Sequence, residues 1–300
     1  MLDQAAGAVT EIAPAKLNLA LHVTGRRDDG YHFLESLVVF TDLADRLFLA
    51  DEAADRFDAR GPFSKNLPAC GDNLIVKARD RLRSAFPGNG TRPVSIVLEK
   101  KLPVASGIGG GSSDAAAAIR GLARLWRLDA DAGLARAGAS LGADVAMCLA
   151  AKPLIARGIG ERIELVPDFP ELPLVLVNPG IAVSTPEVFA ILTDRDNGGL
   201  PALPKRLDFG AVCDWLRVTR NDLQPPAMTL EPMISQVLDE LRGTGAAFAR
   251  MSGSGATCYG LCPSRAAADR AAAEIRRRHP GWFVKSTYST SSETNRVGQD

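Results

Sequence analysis

Residues Pro103, Val104, Ala105, Ser106, Gly107, Ile108, Gly109, Gly110, Gly111, Ser112 and Ser113 separate an alternating apolar segment from an alanine-rich one. No other stretch constrains the fold as strongly. Upstream, Val94, Ile96 and Leu98 alternate as in a half-buried strand; downstream, Asp114 and Ala115 to Ala118 open a helix that continues through Ile119, Leu122 and Trp126. Gly107, Gly109, Gly110 and Gly111 let the main chain take positive φ and approach a ligand closely. Their amides can converge on one concavity, and the positive end of the following helix adds to it, which makes a phosphate cradle. Ser112 and Ser113 add hydroxyls for a phosphate oxygen or a magnesium ion. Asp114 suits a helix start but would repel a triphosphate, so its carboxylate is expected to point away or toward a metal ion. The alternative local reading is a plain loop ended by a serine N-cap.

Elimination narrows the phosphate-binding class. No Lys follows a Gly, so the P-loop pattern is absent, and Ser112 stands where a dinucleotide fingerprint needs its third Gly. The HRD signature and HExxH are missing too. Phosphoryl transfer requires positioning, neutralised phosphate charge and often a carboxylate that takes the proton from the attacking hydroxyl. Asp144 follows the helix stop at Gly142 and is a candidate for that carboxylate, with a simple N-cap as the alternative. Lys16 and Asn18 share one face of an alternating strand, opposite Leu17, Leu19, Leu21 and Val23. A Lys on such a strand needs a partner or a ligand, unless it snorkels from the strand end.

Composition excludes other classes. Thirty-five basic residues balance thirty-five acidic ones, which argues against a nucleic-acid partner and a polybasic membrane anchor. Cys70, Cys148, Cys213, Cys258 and Cys262 are odd in number and scattered, and with three His in the chain no structural metal site is expected. The opening residues lack a basic region followed by an apolar one, and the most apolar stretch, Leu172 to Val183, is interrupted by Pro173, Asn178 and Pro179. A soluble cytoplasmic protein is expected, with no membrane partner.

Along the chain, antiparallel strands are expected at Lys16 to Val23 and Tyr31 to Phe40, joined through Gly25 to Gly30. Pro62 to Gly71 reads as irregular loop, followed by a helix capped by Asn73 and stopped before Pro87-Gly88. Further helices are expected over Asp131 to Leu141 and from Asp144. Closely spaced prolines at 153, 167, 170 and 173 mark a domain junction between about 150 and 170. Beyond it come a strand (Leu174 to Asn178), a helix (Pro186 to Leu192), a proline-rich loop (Gly198 to Pro204) and helices. Two strands (Ala246 to Met251, Thr257 to Leu261), a long helix (Arg265 to Arg278) and a last strand (Phe283 to Thr287) complete the pattern. The class is α+β, with domains expected at 1–160 and 161–300.

Five segments taken together, in order and at matching separations, resemble the GHMP small-molecule kinases: Pro14 to Leu19, Gly30 to His32, the glycine-rich turn, Leu141 to Asp144, and Met251 to Gly255. Within that family they are most similar to members that phosphorylate the 2-hydroxyl of a cytidine-diphosphate-linked methylerythritol in the non-mevalonate isoprenoid pathway. The resemblance implies an N-terminal ATP domain like part of ribosomal protein S5 and a ferredoxin-like C-terminal domain. It implies ATP as phosphoryl donor with Mg2+ accompanying it, Lys16 and Asp144 at the reacting hydroxyl, and ATP held by residues 103–113. Asn73 and Lys100 resemble positions near the nucleotide. Asn18 would bind a substrate hydroxyl, Tyr31 and Phe189 would enclose the cytosine, His32 would read its polar edge, and Thr185 and Pro186 would line the ribose side. Gly253 and Gly255 resemble a third family motif facing the ATP loop, and a plain β-turn is the alternative there. The chain departs from the family pattern at Val104 to Ser106 and at Ala146. Rival readings are a kinase for mevalonate, homoserine or a sugar, a non-catalytic ligand-binding homologue, and RNA binding through the S5-like fold, which the zero net charge disfavours. No oligomeric state is implied.

Overall fold

The structure is a computed structural model, and it describes residues 7–87, 90–128 and 131–291. The first six residues, part of the opening segment in which no targeting signal is expected, and Gly88, expected at the end of the first helix, lie outside the described residues. The described residues form two compact units, one within residues 7–15, 44–104 and 109–151, the other within residues 16–43, 105–108 and 152–291. Two long strands, β1 (Val9–Arg26) and β2 (His32–Asp51), pair with each other and contribute to both units.

In the first unit the end of β2 pairs antiparallel with β4 (Val94–Glu99), which sets Leu47 opposite Leu98 and Leu49 opposite Ile96. The strand β3 (Arg56–Arg60) joins β4 in parallel. Four helices belong to this unit: α1 (Leu74–Ala85), α2 (Gly110–Trp126), α3 (Asp131–Ala139) and α4 (Ala143–Ala150). Asn73 caps α1 as expected, its Oδ1 accepting from Ile75 N at 2.9 Å. The alanines at the start of α2 are buried, because small side chains let that helix sit close to its neighbours; Gly121, one turn on, lies against Leu49.

In the second unit the start of β2 pairs antiparallel with β5 (Leu154–Gly158), and β5 with β6 (Arg162–Leu165). A four-stranded antiparallel sheet follows, built from β7 (Pro173–Asn178), β8 (Phe248–Met251), β9 (Cys258–Leu261) and β10 (Phe283–Tyr288) in the order β10-β7-β9-β8. That order is ferredoxin-like, as the family resemblance implies. Its helices are α5 (Thr185–Ala190), α6 (Phe209–Arg217), α7 (Gln224–Leu230), α8 (Met233–Gly243) and α9 (Arg265–Arg278). Val175, Val177, Val237, Leu241, Ala271 and Ile275 join strand and helix faces in one apolar core.

The proline-rich stretch also holds β5 and β6, which with β3 are strands not expected from the sequence; β3 and β6 alternate polar and apolar residues but are short and largely exposed. Both faces of β1 are buried from Ala13 to Val23, Lys16, Asn18 and His22 included. Among the described residues, no helix is long and apolar enough to cross a membrane.

Candidate active site

The glycine-rich run keeps its expected place between β4 and α2. Gly109, at φ +61°, takes the N-cap position and offers no side chain, so the first amides of α2 are left to other acceptors. Ser113 N donates to Gly109 O at 2.8 Å and closes the first turn. Gly111 is exposed and Ser112 half-buried, whereas the Ser113 hydroxyl is buried and donates to Pro14 O at 2.7 Å.

The preceding stretch is held from residues 252–257 and from β1. Ser252 Oγ donates to Gly107 O at 3.0 Å, Thr257 N to Ser106 O at 3.1 Å, and Lys16 N to Ile108 O at 2.9 Å. Gly107 has φ +77°, and a Cβ there would lie 2.6 Å from the carbonyl oxygens of Ser252 and Gly255, so the approach admits no side chain. The turn expected to face the loop therefore grips its backbone.

Lys16 and Asn18 are each 4% exposed. Asn18 donates through its backbone N to Ser252 Oγ at 3.1 Å and through Nδ2 to Ser36 Oγ at 2.7 Å; Ser36 Oγ in turn donates to Ala20 O. Thr185 Oγ1 and Ser254 Oγ share a hydrogen bond of 2.7 Å, and Asn178 Nδ2 donates to Thr257 Oγ1 at 2.9 Å. Asp144 stands half-buried in the first turn of α4, but the N-cap is Gly142, so Asp144 is not the capping residue.

Beneath the start of α2, Lys100 Nζ lies 2.6 Å from both Asp45 Oδ2 and Asp114 Oδ2, with the three side chains 1%, 0% and 3% exposed. Asp114 thus points at a buried ammonium. Burial drives its carboxyl up to about 8, against the pull of Lys100 and with the push of Asp45. Burial would lower the Lys100 ammonium, but its two carboxylates outweigh that and raise it.

The ring stacked on Phe189 is that of His32, with centroids 4.8 Å apart and planes 17° from parallel, while Tyr31 is 63% exposed. Burial, then Arg195 and Arg26, lower the His32 pKa, which keeps the imidazole neutral near pH 7. His32 Nε2 is buried and has no hydrogen-bond partner. Thr185 begins α5 and Pro186 sits in its first turn.

Reading from sequence passed over Asp45, Ser36, Ser252 and Ser254. An Asp inside the apolar run of β2 was the available signal for the first; the serines carry none beyond the turn they occupy. It also passed over an Asp-Phe-Gly tripeptide at Asp208 to Gly210, which is the start of α6, with Asp208 Oδ1 accepting from Ala211 N at 2.9 Å.

Residues 73–152 match the model of the GHMP kinases N-terminal domain, and residues 200–281 that of the GHMP kinases C-terminal domain. A relative from Mesorhizobium japonicum is 58% identical over 293 residues, covering 97% of this chain and 99% of the relative. The chain belongs to the GHMP kinase family. That relative is named 4-diphosphocytidyl-2-C-methyl-D-erythritol kinase. A crystal structure of 4-(cytidine 5'-diphospho)-2C-methyl-D-erythritol kinase is 34% identical, covers 94% of this chain and all of its own, and superposes with a TM-score of 0.78. A homoserine kinase from Cytophaga hutchinsonii, 18% identical with a TM-score of 0.69 over 95% of each chain, shares the fold.

Proposed function

We propose that the protein transfers the γ-phosphoryl group of ATP to the 2-hydroxyl of 4-diphosphocytidyl-2-C-methyl-D-erythritol, giving the 2-phosphate and ADP, in the non-mevalonate route to isopentenyl diphosphate. The observation that carries this reading is the 58% identity, over nearly the full length, to a relative bearing that kinase's name. The glycine-capped start of α2 supports it, because unpaired helix amides suit phosphate oxygens.

In this reading residues 103–113 bind the triphosphate, mainly through main-chain amides. Asp144 accepts the proton of the 2-hydroxyl as its oxygen attacks the γ-phosphorus, and ADP departs with the electrons of the broken P–O bond. Lys16 supplies positive charge beside the reacting groups, and its burial suits that task, since a buried ammonium demands anionic company. Asn18 orients the acceptor alcohol. The cytosine stacks against the aromatic group of Tyr31, His32 and Phe189, and the unpartnered His32 Nε2 reads its polar edge. Thr185 and Pro186 flank the ribose, and Asn73 lies toward the nucleotide. Among the described residues, no group of three His, Cys, Asp or Glu side chains is placed to hold a metal. Mg2+ accompanying ATP would neutralise phosphate charge.

A coupled ADP-release assay tests the substrate. Turnover is expected with the cytidylyl alcohol and not with mevalonate or homoserine. Turnover of mevalonate alone would overturn the assignment.

A further inference from the structure

The buried charges beneath α2 connect two parts of the loop machinery. Asp45 Oδ1 accepts from Lys101 N at 2.5 Å and Leu102 N at 2.8 Å, so this carboxylate holds the chain immediately before Pro103. Its other oxygen meets Lys100 Nζ, and Lys100 Nζ meets Asp114 on the second turn of α2. The ammonium also lies directly under the helix start: a Cβ on Gly110 would approach Nζ to 3.1 Å. One side chain therefore ties the corner that enters the glycine-rich run to the helix that leaves it.

Stability alone is a poor reason for this arrangement, since a buried ionic cluster is often replaced by apolar residues at no loss. Geometry is a better reason. Phosphate binding by main-chain amides depends on where the backbone stands, and displacements near 1 Å reduce rates steeply. Charge balance agrees. Asp114 Oδ1 is buried without a partner, and a proton there makes the cluster neutral, so it does not oppose a bound triphosphate.

We propose that Lys100, clasped between Asp45 and Asp114, is a positioning residue that fixes the amides at the start of α2 for the triphosphate and does not itself touch the nucleotide. This rests on the reading of residues 103–113 as the ATP loop. It reassigns Lys100 from the ligand contact that the family resemblance implied.

The test compares ATP with adenosine as ligands of the full chain, by direct titration, together with kcat and KM for ATP. With Lys100→Met, ATP affinity is expected to fall ~10-fold or more while adenosine affinity stays within about twofold, because only phosphate contacts depend on the clasp. A parallel loss for ATP and adenosine would show contact with the base and overturn the proposal, as would no loss for either. Should Lys100→Met fail to fold, Asp114→Ala leaves the Lys100–Asp45 pair neutral and removes the tie to α2. The same split is expected there at ~5-fold, and its absence overturns the proposal equally. Unaltered protein that binds ATP no tighter than adenosine would refute the loop reading, and this inference with it; ATP preference in the unaltered protein separates the two failures.

Discussion

Two regions hold the glycine-rich run, and they do so by different means. Residues 100–102 and the start of α2 are fixed by Lys100, Asp45 and Asp114, all charged by type and all buried. Residues 106–107 are fixed by a chain of neutral groups, in which Ser252 Oγ accepts from Asn18 N and donates to Gly107 O. A hydroxyl can do both at once, so one small side chain satisfies two main-chain groups with little desolvation. The charged clasp reaches further, because a Lys stem can bridge a strand end and a helix, but removing one member strands the others. The difference in energy should be large: about 3–5 kcal/mol for breaking a buried ion cluster, against about 1 kcal/mol for one neutral hydrogen bond.

The sharpest way to separate scaffolding from chemistry is Asp144→Asn. It should lower kcat ~10³-fold with the melting temperature and ATP affinity nearly unchanged, since only proton acceptance is lost. Steady-state kinetics beside a thermal melt would show it; a stability loss of the size expected for the charged clasp would place Asp144 in the scaffold instead.

The charged region also predicts a pH dependence that the neutral one lacks. Asp114 rises from 3.8 to about 8 on folding, so the folded protein holds that proton more tightly than the unfolded chain. Its stabilising contribution is therefore complete below 3.8 and is lost as the pH rises toward about 8. Asp114→Asn keeps an acceptor for Lys100 without the titration. Melting temperatures at the two ends of this range should lie closer together in the variant than in the unaltered protein; equal spacing would remove the buried proton from the account. In the neutral region, Gly107→Ala should cost about 1–3 kcal/mol, because the new Cβ meets two carbonyl oxygens at a positive φ. Chemical denaturation measures it, and a neutral result would mean that the turn at 252–255 yields easily.

Much of this was legible in the chain. Asn73 as a cap and Arg265 to Arg278 as a helix follow from local propensity and apolar period, which need no partner to be read. The strands β3 and β6 were not legible, because their burial depends on neighbours that the local pattern does not name. The same holds for the clasp: Lys100 finds one carboxylate 55 residues away and the other 14 away, and no spacing rule joins those positions. The stacking of His32, the first residue of β2, on Phe189 in α5 likewise joins distant positions that no spacing rule connects.

The smallest expected effect is the most discriminating for the neutral chain. Ser252→Ala removes one acceptor from Asn18 N and one donor to Gly107 O, leaving both main-chain groups to find other partners. Loss of about 1 kcal/mol is expected if the backbone relaxes, rising toward about 3 kcal/mol if both groups stay buried and unpaired. Ser252→Thr keeps the hydroxyl and should recover most of it wherever the extra methyl fits. Urea denaturation of the pair reads the difference. If alanine and threonine behave alike, the hydroxyl is not what holds Gly107, and tight backbone packing alone secures this end of the run.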